Sequence, residues 1–171
     1  AGVDGVVHLA GAGVGDHRWT DAYKQQIRDS RLVGTRTLAT ALAGMAVPPT
    51  VLVSGSAIGY YGQAGDEALD EHAPRGEGFL AGVVVAWESA AGPARDAGIR
   101  VAHPRSGIVV SGRGGAWGRL WPLFQAGLGG RLGDGQQWWS FISLRDEVAA
   151  LALLLTGDLV GPVNLTAPHP A

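Results

Sequence analysis

Hydroxyl-bearing side chains gather in the segment VSGSAIGYYG, where Ser54, Ser56, Tyr60 and Tyr61 follow a short apolar run. Hydroxyls at the end of a strand can hydrogen-bond a substrate oxygen, and a tyrosine near a cation can donate or accept a proton. The plainer alternative is two serines ending a strand and two tyrosines packing a loop. A second candidate is His103-Pro104-Arg105-Ser106-Gly107, which interrupts an otherwise apolar stretch. An arginine there needs a partner, because an unpaired buried charge is very costly. A ligand phosphate and a structural carboxylate serve equally. A third is Gly11-Ala12-Gly13-Val14-Gly15, which follows an apolar run as a phosphate loop does. The G-x-G-x-x-G pattern needs glycine where Asp16 stands and a helix opening at once, whereas His17, Arg18 and Trp19 intervene. The alternative is that these small residues let a ligand lie against backbone at a strand end.

These residues need elements to position them. GVVHLAG (5–11) and TVLVSGS (50–56) are apolar runs bounded by glycine or by Pro48-Pro49, and both are expected as buried strands. Between them, 20–45 has helical periodicity through Ile27, Leu38, Leu42 and Met45, with Thr20 as cap. A helix is expected over 78–97 and a strand over 100–110. A helix over 116–127 follows, then a glycine-rich loop, a helix opening at Ser143 through a Ser143/Asp146 capping pair, and a strand near Val163. Trp117 and Trp121, at helical spacing, are expected in the core; with Trp138, Trp139, Phe124 and Phe141 the alternative is a pocket for a planar or sugar-like ligand. Strands alternating with helices indicate an α/β fold: a Rossmann-type doubly wound parallel sheet in three αβα layers. Residues 1–127 are expected to form most of this partial domain, and 128–171 to continue it on the substrate side.

Composition narrows the functions. The 171 residues have a net charge of -2, which lacks the positive field expected of a nucleic-acid or anionic-membrane binder. No apolar run reaches the length of a membrane span, so no membrane partner is expected. There is no cysteine, which removes disulfides and thiolate chemistry, and the five histidines are scattered, so no metal site is expected. A cytoplasmic setting fits this composition. Of the 13 basic residues only Lys24 is a lysine.

In order, VVHLAG, RLVGT, VSGSAIGYYG, PRSGIVV and GLGGRLGDGQQWWSFISLRDEVA resemble the NAD-dependent epimerase/dehydratase family of extended short-chain dehydrogenases, in particular its atypical sugar-nucleotide epimerase-like, cell-division-inhibitor-like subgroup. SAIGYYG and Arg18-Trp19 carry the subgroup likeness. The resemblance implies a domain that binds NADP or NAD, with a small-molecule substrate between it and a carboxyl-terminal lobe. It places Leu9, Ala10 and Gly11 at the strand end passing the cofactor. Arg31 stands where the wider family has asparagine, Gln26 is expected in the same groove, and Arg105 to Val109 run past the nicotinamide. Ser56, Tyr60 and Tyr61 are the implied catalytic candidates. The family's Tyr-x-x-x-Lys pair is absent, because the positions four after Tyr23, Tyr60 and Tyr61 are Ile27, Ala64 and Gly65. That departure leaves a protein that binds NADP without turnover as the rival to an enzyme; a scaffold that binds another protein through its tryptophans has no positive support. The resemblance also implies a fragment, lacking the amino-terminal phosphate loop and the carboxyl-terminal lobe. Ser143 and Arg145 depart from the subgroup's usual His and Asp. Oligomeric state is not readable from these residues.

Overall fold

The computed structural model describes residues 2–112, 114–131 and 133–170, with Arg119 described by its backbone alone. Its elements are β1 (Gly5–His8), α1 (Asp21–Ala43), β2 (Val51–Ser54), β3 (Ser56–Ala57), α2 (Phe79–Ala90), α3 (Gly92–Asp96), β4 (Arg100–Ser106), β5 (Ile108–Val110), α4 (Gly115–Gln125), β6 (Phe141–Ser143), α5 (Leu144–Thr156) and β7 (Gly161–Leu165). A 3-10 turn occupies Ile58–Tyr61.

All pairings are parallel. β2 lies between β1 and β4, β3 continues the β2 position along the far end of β4, and β7 pairs with the other side of β4. Alternation along the strands sends side chains to two cores. Leu52 and Val101 meet Ala39, Leu42, Ala91 and Ala94 beneath α1 and α3. Val51, Val53 and Ala102 meet Leu154 of α5 on the opposite face, with Ile142 and Leu165. Helices thus cover both faces, as a doubly wound sheet requires.

α1 starts where the expected cap sits: the Thr20 hydroxyl accepts from the Tyr23 amide at 3.2 Å. α5 starts likewise, with the Ser143 hydroxyl accepting from the Asp146 amide at 3.0 Å. Three elements differ from expectation. The helix anticipated over 78–97 is two helices, because Pro93 has no amide hydrogen and its ring crowds the preceding turn. The strand anticipated over 100–110 breaks at Gly107, whose amide donates to Leu165 O at 2.9 Å; β5 then leaves to pair with β6. A side chain at 107 would lie 2.7 Å from Ser140 O, so this crossing point requires glycine. The tryptophans expected in the core are not there. Trp121 is 46% exposed, and Trp117 is half-buried, because no described element packs over the outer side of α4.

Candidate functional site at the carboxyl ends of the central strands

Parallel strands β1, β2/β3 and β4 all end at one edge, and the candidate residues collect there. Ser56 begins β3, and Tyr60 and Tyr61 lie in the turn that follows. Gly55, between β2 and β3, donates its amide to His8 O at 2.8 Å, and a side chain on it would meet the Trp87 ring at 2.8 Å. That close packing sets where Ser56 emerges.

The centre of the cluster is Glu88 on α2. Its Oε1 accepts from Ser56 Oγ at 2.6 Å and from Arg105 Nε at 2.9 Å, and its Oε2 accepts from Arg105 Nη2 at 3.1 Å. Arg105 Nη1 donates to the Tyr61 hydroxyl at 3.0 Å, and that hydroxyl donates to Asn164 Oδ1 at 2.6 Å. The Asn164 amide in turn donates to Glu71 at 2.7 Å, which ties the 62–76 loop to β7. The Tyr60 ring stacks 3.5 Å from the Arg105 guanidinium, while its hydroxyl makes no hydrogen bond among the described residues. Burial opposes the charge on Arg105, but the Glu88 and Tyr61 hydrogen bonds outweigh it and hold the guanidinium above its ordinary value. The partner that Arg105 holds is therefore a carboxylate.

Arg31, on α1, is half-buried, and burial lowers its pKa from the usual guanidinium value. Its Nη1 donates to Ala12 O at 2.9 Å and Ile27 O at 3.1 Å, and its guanidinium lies 5.1 Å over the Trp87 ring. A side chain on Gly11 would meet this guanidinium at 3.1 Å, so the Gly11 backbone lies directly against Arg31. The loop after β1 is pinned to α1 further by Ala12 N donating to Ser30 Oγ at 3.0 Å and by the Tyr23 hydroxyl donating to Gly13 O. The helix opens only at Asp21, so Gly11 to Gly15 do not lead directly into a helix amino terminus.

Leu9 and Ala10 are exposed at the end of β1, and Val109 is half-buried in β5. Gln26 does not share a groove with Arg31. Five residues along an α-helix turn the side chain by about 140°, and Gln26 instead lines a shallow depression of about 390 Å3 with His17, Arg18, Thr20 and Tyr23. The chain's lysine, Lys24, lies 5.9 Å from the Phe79 ring at the start of α2.

Two carboxylates escaped the sequence reading. Glu88 carried a signal: it is the only charged residue of the largely apolar helix α2. Glu147 lies beyond the Ser143 cap and accepts from the Ser106 hydroxyl at 2.5 Å, with its Oε2 buried and unpartnered among the described residues. Burial raises its pKa, and the Ser106 bond offsets this only in part. No group of three or more potential metal ligands occurs among the described residues, and no described helix is long and apolar enough to cross a membrane.

The sequence matches the model of the NAD dependent epimerase/dehydratase family over residues 1–164. Epimerase family protein Mb2239 of Mycobacterium bovis is 47% identical over 169 residues, covering 98% of this chain and 56% of the relative. Human epimerase family protein SDR39U1 (isoform2), solved with NADPH, superposes with a TM-score of 0.92 at 32% identity, over 99% of this chain and 58% of that one. The nucleoside-diphosphate sugar epimerase of Corynebacterium glutamicum superposes with a TM-score of 0.85 at 41% identity, over 99% of this chain and 36% of that one. The chain therefore spans about half the length of the curated relatives it matches. The chain with this pinned loop and hydroxyl-bearing strand edge belongs to the NAD-dependent epimerase/dehydratase family.

Proposed function

We propose that this chain is the part of an NADP- or NAD-dependent sugar-nucleotide epimerase, dehydratase or oxidoreductase that carries the strand edge shared by cofactor and substrate. The observation that carries the reading is the convergence of Ser56, Tyr60, Tyr61 and Arg105 on Glu88 at the carboxyl ends of the central strands. The likeness to an NADPH-bound epimerase family protein and to a nucleoside-diphosphate sugar epimerase supports it. The residues fit a dinucleotide: Leu9 and Ala10 leave an exposed edge, and Gly11 offers bare backbone beside the Arg31 guanidinium. Leu9, Ala10, Gly11 and Arg31 would hold it, with Val109 toward the nicotinamide end. When bound, the nicotinamide supplies hydride transfer.

The protein's own groups take separate parts. Ser56 donates its hydroxyl hydrogen bond to Glu88 and so presents lone pairs to a substrate hydroxyl. Among the described residues the Tyr60 phenol has no hydrogen-bond partner and is available to meet the reacting oxygen, whereas Tyr61 is engaged by Arg105 and Asn164. Full-length protein assayed with NADP, NAD and a panel of UDP-sugars tests the reading. Turnover reduced about 10- to 1000-fold by Ser56→Ala and by Tyr60→Phe is expected; turnover unchanged in both variants rejects it. The second reading, NADP binding without turnover, draws on the missing Tyr-x-x-x-Lys pair and the position of Lys24 on Phe79. Tight NADPH binding with no hydride transfer to any panel member would favour that reading.

A further inference from the structure

The Arg105 guanidinium is held along its edges and covered on a face. Its Nε and Nη2 meet the Glu88 carboxylate at 2.9 and 3.1 Å, and Nη1 donates to the Tyr61 hydroxyl at 3.0 Å and to Glu71 O at 3.5 Å. The face carries Tyr60, with Arg105 Cζ 3.5 Å from the ring centroid; the Tyr61 ring is further away, at 5.2 Å. A carboxylate bound to both prongs of the fork lies in the guanidinium plane. Glu88 therefore sits off one edge, whereas Tyr60 sits directly against the delocalised charge. The arginine is buried, so solvent screens this contact little.

Tyr60 itself is half-buried and borders a cavity of about 720 Å3 beside β4, with Glu88 in the same wall. Its hydroxyl has no hydrogen-bond partner among the described residues, unlike that of Tyr61. Tyr60 thus combines a cation at its ring with an uncommitted hydroxyl. A phenol that exchanges a proton with a substrate oxygen carries negative charge at one end of the exchange, and that charge spreads into the ring. A cation held on the ring face favours this form over the neutral one, because it meets a full charge instead of a quadrupole.

We propose that Arg105 is a positioning residue for proton transfer at Tyr60, its face-on guanidinium stabilising the phenolate, a role that rests on the enzyme reading above. Lys24 does not fill this role, because it lies over Phe79 at the start of α2. When a substrate alcohol is oxidised, its O–H bond breaks and the proton bonds to the Tyr60 phenolate oxygen. Its C–H bond breaks with the electron pair, the hydride passes to the nicotinamide, and a carbonyl is left. In the return direction the Tyr60 phenol gives the proton back and becomes phenolate against Arg105. Glu88 fixes the plane of the guanidinium, and Arg105 supplies the charge.

Two measurements on the full-length protein test it. The first uses neither cofactor nor substrate: an aryl sulfonyl fluoride, which labels phenolate oxygen, is followed at the Tyr60 peptide by mass spectrometry. Arg105→Met/Glu88→Gln removes both charges together, so neither is left buried alone, and should slow labelling by about tenfold or more. Arg105→Lys keeps a cation opposite Glu88 and so keeps the fold, but lacks the planar face; it should slow labelling by about threefold or more, and it decides the test if the double variant unfolds. The second measurement is turnover with NADP and the UDP-sugar panel. Both variants should lower kcat by similar factors with KM within about twofold, and neither should lower it further in Tyr60→Phe, since Arg105 acts through Tyr60. Labelling unchanged in Arg105→Lys, or an equal fall in kcat with and without the Tyr60 hydroxyl, overturns this role alone. Labelling as expected with no panel member turned over by the wild type overturns the enzyme reading, and proton transfer at Tyr60 with it.

Discussion

Glu88 and Arg105 face each other across α2 and β4 through two parallel hydrogen bonds of 2.9 and 3.1 Å, with the arginine side chain 3% exposed and the glutamate 15%. A two-bond carboxylate–guanidinium pair at this depth holds both its members and whatever hangs from them. Ser56 hangs from the glutamate, and Tyr61 from the arginine.

Breaking the pair from one side should therefore destabilise strongly. Glu88→Ala leaves the Arg105 charge buried without its carboxylate, and removal of one member of a buried pair typically costs about 3 to 5 kcal/mol. Urea denaturation of Glu88→Ala should show a loss of this size. A loss within about 0.5 kcal/mol, the range of an ordinary surface substitution, would mean that the pair holds nothing.

Arg31 should link loop order to cofactor affinity. Arg31→Ala removes the bonds to Ala12 and Ile27 carbonyls and exposes the Gly11 backbone. NADPH affinity of the full-length protein should fall by about one to two orders of magnitude, the equivalent of roughly 1.5 to 3 kcal/mol. Arg31→Lys should recover only part, because an ammonium cannot reproduce the planar fork. Equal NADPH affinity for the wild type and Arg31→Ala at low salt would remove Arg31 from the cofactor edge.

Glu147 should make stability depend on pH. Burial raises its folded-state pKa above the ordinary 4.5, so the folded protein binds this proton more tightly than the unfolded chain does. Its contribution is fully present below about pH 4.5 and is lost as pH rises through the raised folded value. Glu147→Gln should abolish that part of the pH profile and be the more stable protein at pH 8. Parallel profiles for the two proteins from pH 4 to pH 8 would contradict this.

Gly107 should tolerate no side chain. A Cβ there would sit 2.7 Å from Ser140 O, and neither backbone can move without parting β5 from β6 or β4 from β7. Gly107→Ala should cost roughly 1 to 3 kcal/mol, as overpacking does, measured as a lowered midpoint of thermal unfolding. An unchanged midpoint would show that the crossing is looser than its contacts imply.

Local pattern was enough for the α/β alternation, the Thr20 and Ser143 caps and the strand-end placement of Ser56 and Tyr60, because each depends on residues within a few positions of one another. The family likeness was also legible, since it rests on the order of short segments. The continuous apolar run at 51–53 already implied a strand covered on both faces. The partner of Arg105 was not legible: a buried guanidinium announces that it needs an anion, but the anion lies 17 positions away on another element. The same holds for Arg31, whose reach to Ala12 spans 19 positions, and for Ser106 and Glu147, 41 apart. The break at Gly107 and the exposure of α4 likewise depend on what packs alongside, through Ser140 for one and through the lack of a described neighbour for the other. Sequence by itself determined which groups require partners and which edge of the sheet they occupy. Tertiary structure decided which partner each one has, because hydrogen bonds and packing act over a few ångströms in space, and folding alone brings distant positions of the chain that close.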